Sequence, residues 1–119
     1  MKKILVVEDE DLNRELLVQL LEEEYEVVTA ADGAEALRIA QQTKPDVILM
    51  DLSLPLVDGW EATRRIKAHG ALSRIPVIAL TAHAMKGDEE RAYASGCDEY
   101  ITKPFDEILM FDVIRQYTA

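Results

Sequence analysis

The chain has 119 residues, enough for one domain with its own core and too few for two. Its 13 Lys and Arg stand against 23 Asp and Glu for a net charge of −10, a field that repels nucleic-acid phosphate and anionic lipid and favours cations and basic partner surfaces. The single cysteine, Cys97, excludes an internal disulfide and a zinc site built from thiolates.

The opening Met1-Lys2-Lys3 is followed by only four apolar residues before the acidic run Glu8-Asp9-Glu10-Asp11, too short for a signal-peptide core. No apolar stretch approaches a membrane span, so a cytoplasmic setting is expected. Ile4–Val7 reads as a buried strand, and Leu12, Leu16, Leu17, Leu20 and Leu21 then fall at helical spacing, with Asp11 placed to cap that helix. Tyr25–Ala30 is a second, weaker strand. Asp32 and Glu35 form a capping box that opens a helix with Ala36, Leu37 and Ala40 inward, stopped by Pro45. Val47–Met50 is a third strand ending on Asp51.

The stretch from Leu52 to Asp58 is a loop, and Asp58 and Glu61 form a second capping box. Pro76 opens a fourth strand, Val77–Leu80, ending on Thr81. Met85–Ser95 is a poorer helix, interrupted by Gly87 and closed by Gly96. Glu99–Thr102 is a short fifth strand. After Lys103-Pro104 the final amphipathic helix runs from Phe105 to Tyr117, with Leu109, Val113 and Tyr117 inward. Strand and helix alternate throughout and the central strands are apolar at every position, the pattern of a parallel sheet covered on both faces. The fold class is therefore α/β, with a doubly wound sheet as the leading topology, and residues 1–119 form one domain.

In such a sheet ligands bind outside the carboxyl ends of the strands. The residues there are Glu8 and Asp9 after the first strand, Asp51 after the third, Thr81 after the fourth and Lys103 after the fifth. Three carboxylates on one rim repel one another unless a cation sits among them, and oxygen ligands without His or Cys suit Mg²⁺ or Mn²⁺. A cation, an ammonium and a hydroxyl donor around a carboxylate stabilise a transferring phosphoryl group, and the carboxylate itself is a competent nucleophile. Each residue alone has an ordinary explanation: acidic runs are solvated loops, a Thr at a strand end is β-branched filler, and a Lys before Pro is surface. Their coincidence at successive strand ends of one sheet favours the functional reading.

With these residues in place, the sequence resembles the receiver domain of two-component and phosphorelay response regulators. Glu8-Asp9, Ile48-Leu49-Met50-Asp51-Leu52-Ser53-Leu54-Pro55, Thr81-Ala82 and Lys103-Pro104 carry the resemblance, which spans the whole chain. It implies a flavodoxin-like five-stranded sheet in the order 2-1-3-4-5. It implies Asp51 as phosphoacceptor from a phosphohistidine, with Mg²⁺ held by Asp9, by Glu8 through water, by Asp51 and by the backbone carbonyl of Ser53. Thr81 would bond the phosphoryl oxygens and Lys103 would bridge to the phosphate, aimed by a cis peptide before Pro104. Tyr100 matches the aromatic switch residue that turns inward when Thr81 moves, and His83 lies where relatives tune phosphate lifetime.

The same resemblance implies a histidine kinase or histidine phosphotransfer protein as donor. It implies a protein target at the face of the fourth helix, fifth strand and fifth helix, without direct nucleic-acid or membrane binding. The fourth helix, with its thin apolar face, fits a mobile role. A Rossmann-like phosphatase of outside substrates would want a second Asp two residues past the nucleophile, where this chain has Ser53, so the chain is expected to act only on its own phosphorylation state. A flavin carrier would want a Ser/Thr/Gly-rich cradle where this chain has four acids. A receiver-like module that is never phosphorylated is the remaining alternative. No output domain follows the last helix, as expected of a stand-alone receiver or of one cut from a longer protein.

Overall fold

The computed structural model describes residues 1–52, 58–81, 86–102 and 107–118. Five strands, β1 (Lys3–Val7), β2 (Glu26–Ala30), β3 (Val47–Asp51), β4 (Val77–Thr81) and β5 (Glu99–Thr102), alternate with five helices. The helices are α1 (Asp11–Leu21), α2 (Gly33–Thr43), α3 (Gly59–Ala68), α4 (Asp88–Ser95) and α5 (Glu107–Thr118). All strand pairs are parallel and the order is β2-β1-β3-β4-β5.

The apolar strands are buried on both faces, and alternate residues feed two separate cores. Ile4, Val6, Val47, Leu49, Ile78, Leu80 and Ile101 meet α1 and α5 on one side. Leu5, Val7, Ile48, Met50, Val77 and Ala79 meet α2, α3 and α4 on the other. The register aligns Val7 with Met50, Asp51 with Leu80 and Thr81 with Thr102. The carboxyl ends of four strands therefore share one rim.

Local chemistry sets the helix ends. Asp32 accepts a hydrogen bond from the Glu35 amide at 2.8 Å and Asp58 one from the Glu61 amide at 2.9 Å, so both expected N-caps form. Helix α2 ends on Lys44 in the left-handed region (φ 46°), with Pro45 following. Gly96, at φ 108°, closes α4 as expected.

Three expectations are corrected. Asp11 does not cap α1: Glu10 holds the extended N-cap position, and Asp11 is the first helical residue, paired with Arg14. Gly87 does not interrupt α4 but precedes it as N-cap, at φ 89°, a conformation that a continuing right-handed helix cannot include. The inward face of α5 is Met110, Val113 and Ile114, with Tyr117 partly buried against the same core as expected, whereas Leu109 is half exposed. On α1, likewise, Leu17 and Leu21 are buried while Leu12 and Leu16 face solvent. Adjacent leucines stand about 100° apart on a helix, and of the pair Leu16-Leu17 it is Leu17 that reaches the core.

Candidate functional site

The site begins where β1 stops. Glu8 is almost fully buried, and its amide donates to the Ala30 carbonyl at 3.0 Å, which extends the β1–β2 ladder by one residue. Asp9 follows on the exposed turn. Arg14, one turn into α1, donates from Nη1 to the Glu8 carbonyl at 3.0 Å and pairs with Asp11 at 2.5 Å, which ties this turn to the helix behind it. The Glu10 amide lies 3.4 Å from Oε2 of Glu8.

Asp51 ends β3 and is buried at 6% exposure. Oxygen atoms of Glu8, Asp9 and Asp51 lie within 4.8 Å of one another. Two unit charges at that spacing repel by roughly 3 kcal/mol at an effective dielectric of about 20, a cost that a bound cation would remove. The donor set is all oxygen and all anionic, which fits a hard divalent ion such as Mg²⁺ and not a thiophilic one.

The backbone beneath Asp51 is held by α3. A Cβ on Gly59 would lie 2.4 Å from the Asp51 carbonyl oxygen and 2.5 Å from Cα of Leu52, so only glycine lets the helix approach this closely. The Gly59 amide donates to the Leu52 carbonyl at 3.3 Å, and the Leu52 amide to the Leu80 carbonyl at 3.1 Å. The sequence marks Gly59 only as part of a capping box. The additional signal available was a glycine placed directly after a capping Asp where Ala would make a better helix.

Thr81 ends β4, buried at 4% exposure, one residue past the partner of Asp51 in the ladder. Tyr100, in β5 opposite Ala79, lies partly buried against the core with its hydroxyl enclosed and without a hydrogen-bond partner among the described residues. Burial first, and the negative charges of Asp88 and Glu89 second, raise the Tyr100 phenol above its ordinary pKa, so it stays a neutral donor at physiological pH. Tyr100 also lines a cleft of about 570 Å³ with Lys86, Gly87, Glu89, Glu90, Tyr93 and Thr102. The structure thus brings together Glu8, Asp9 and Asp51, and sets Thr81 on the adjoining strand β4 and Tyr100 on β5 beyond it. Ser53, Lys103, Pro104 and His83 lie outside the described residues. No helix among the described residues is long and apolar enough to cross a membrane.

Comparison with known proteins agrees with this fold. Residues 4–115 match the response regulator receiver domain family. The polar-differentiation response regulator DivK of Brucella anthropi is 45% identical over 117 residues, 98% of this chain and 95% of the relative. The receiver domain of the sensor histidine kinase PA1611 of Pseudomonas aeruginosa superposes with a TM-score of 0.90 at 38% identity, covering 98% of this chain and 96% of that one; it carries a magnesium ion in its active-site cleft. The chemotaxis protein CheY4 of Vibrio cholerae superposes with a TM-score of 0.91 at 30% identity, covering 98% of each.

Proposed function

The chain belongs to the response regulator receiver domain family, and on that premise we propose that it is a signalling switch whose phosphoacceptor is Asp51. The observation that carries this reading is the convergence of Glu8, Asp9 and Asp51 from two strand ends, with oxygens within 4.8 Å of one another. Of the three, Asp51 is the one that lies at a strand end beside Thr81 with its backbone clamped by Gly59.

An Asp51 carboxylate oxygen attacks the phosphorus of a phosphohistidine on a histidine kinase or phosphotransfer protein. The P–N bond breaks, the imidazole leaves with its electron pair and takes a proton, and an acyl phosphate forms. Magnesium, when bound, supplies positive charge that offsets the carboxylates and the incoming phosphoryl oxygens. Glu8, Asp9, Asp51 and the backbone carbonyl of Ser53 would hold it. The Thr81 hydroxyl donates to a phosphoryl oxygen, and Lys103 completes the charge balance from the end of β5. Thr81 moves toward the phosphate, and Tyr100, whose hydroxyl lacks a hydrogen-bond partner among the described residues, turns with it and reshapes the face of α4, β5 and α5 that meets the target.

The chain acts on its own aspartate and turns over no outside substrate. A cytoplasmic setting belongs to the same proposal. The test is intact mass after incubation with acetyl phosphate. A single added phosphate that requires Mg²⁺ and is lost in Asp51→Asn is the expected result. An adduct that survives the substitution, or failure to respond to acetyl phosphate, to a cognate kinase and to beryllofluoride alike, would replace this reading with that of a fixed interaction module.

A further inference from the structure

Helix α4 is attached to α3 very differently at its two ends. At its C-terminal end, a Cβ on Gly96 would lie 2.7 Å from Cγ of Lys67, so the turn rests directly on the α3 side chain. Lys67 Nζ in turn donates to Oδ2 of Asp98 at 2.9 Å and to the Ile75 carbonyl at 2.8 Å. The buried Cys97 thiol lies 3.8 Å from Oγ1 of Thr63, which itself donates to the Gly59 carbonyl at 2.7 Å. Gly59 is the residue against which the Asp51 backbone packs. This end of α4 is thus fixed to the same block that fixes the phosphoacceptor.

The N-terminal half is built differently. Gly87 opens the helix in a left-handed conformation without a side-chain cap, and Asp88, Glu89 and Glu90 fill the first turn. Only Ala92 and Ser95 of the helix are buried. The Arg91 guanidinium lies 4.4 Å from the centroid of the Trp60 ring, a cation–π contact with a side chain of α3 that is itself buried. Thr81 precedes this half of the helix in the chain, with residues 82–87 between them.

We propose that Arg91 is a latch: it clasps the N-terminal half of α4 to Trp60, and phosphorylation at Asp51 works against it by pivoting α4 about Gly96 and Cys97. The inference rests on the phosphoacceptor reading given above and concerns how that site is regulated. An exposed cation–π contact is strong enough to bias a two-state equilibrium by about two- to five-fold. That is enough to set a basal level of switching and too little to prevent phosphorylation from overriding it. Arg91 is therefore a positioning residue with no direct contact to the phosphoryl group.

The experiment compares amide ¹H–¹⁵N spectra of the full chain and of Arg91→Ala and Arg91→Lys, each with Mg²⁺ alone and with Mg²⁺ and beryllofluoride as the acyl-phosphate mimic. In the wild type the mimic should shift amides 88–92 more than amides 95–97. In Arg91→Ala with Mg²⁺ alone, amides 88–92 should already lie displaced toward the mimic-bound positions, with the second state about two- to five-fold more populated. Arg91→Lys, which keeps the cation, should return most of the way. If Glu8, Asp9 and Asp51 respond to the mimic but Arg91→Ala leaves amides 88–92 in place, moves them the other way, or shifts them together with 95–97, the latch is wrong. Absence of any response at Glu8, Asp9 and Asp51 overturns the phosphoacceptor reading and the latch with it.

Discussion

Helices α3 and α4 flank the same rim and are built to opposite specifications. Helix α3 has a hydrogen-bonded Asp58 cap and buries Gly59, Trp60, Ala62, Thr63 and Ile66 along its length. Helix α4 has eight residues, an N-cap glycine without a capping side chain, and only Ala92 and Ser95 buried. Burying one large apolar side chain contributes about 1.5–3 kcal/mol, and α4 buries none. On the proposed reading the helix beneath Asp51 is a fixed floor, and the helix that follows Thr81 is the part that yields. A switch needs both, since a phosphoryl group can move one element only if the other holds still.

The most severe way to break that asymmetry is Gly59→Ala. Ala is the better helix former by about 1 kcal/mol, but its Cβ would meet backbone atoms of Asp51 and Leu52 that cannot rotate away. The clash wins, and a loss of about 3 kcal/mol is expected by urea denaturation, together with slower phosphorylation because the Asp51 backbone must shift. A neutral Gly59→Ala would show that α3 is not the floor.

A smaller effect probes the pin between the two helices. Burial, with Asp98 adding to it and the Thr63 hydrogen bond opposing it, pushes the Cys97 thiol from 9.0 to about 11. The unfolded chain gives up this proton first, so the stabilisation is complete below the unfolded value and is lost as pH rises through the folded one. Between pH 9.0 and about 11 the wild type should lose roughly 2 kcal/mol relative to Cys97→Ala. Parallel stability curves for the two proteins would mean that the thiol is not enclosed and the pin is loose. Consistent with the enclosure, alkylation of Cys97 in the folded chain should be slow at neutral pH, since the thiolate is the reactive form.

Removing a cap sharpens the comparison further. Asp58→Ala should cost about 1 kcal/mol of global stability, because α3 unfolds only with the core; native-state hydrogen exchange should then show the protection of α3 amides falling by the same amount. The smallest effect belongs to the surface: Glu61 pairs with Arg64 and Arg65 at half-exposed positions, and Glu61→Gln should change stability by less than about 0.5 kcal/mol. A large loss there would mean that α3 is held by its charges instead of its buried face.

Much of this was legible in the sequence, and the exceptions have physical causes. Strand boundaries and the parallel class follow from runs such as Val47–Met50, which are apolar at every position. The meeting of Glu8, Asp9 and Asp51 follows once the strands are parallel, because carboxyl ends then share an edge; the strand order itself came with the family resemblance. The faces of α1 and α5 were not legible where apolar residues are adjacent, since Leu109 and Met110 satisfy helical periodicity equally and packing chooses Met110. Gly87 was misplaced because a glycine within a helical pattern and a glycine that starts the helix look alike until φ is known. The contact of Arg91 with Trp60 joins residues far apart in sequence on two different helices, and no local pattern announces such a pair.

The central claim is that Asp51 carries the phosphate, and chemical trapping tests it most directly. Borohydride reduces an aspartyl phosphate to homoserine, so the chain would be treated with acetyl phosphate and Mg²⁺, reduced and mapped by peptide mass spectrometry. The account predicts homoserine at position 51, absent without Mg²⁺. Homoserine at Glu8's neighbour Asp9 or at any other aspartate, or phosphate found on a Ser, Thr or His instead, would contradict it.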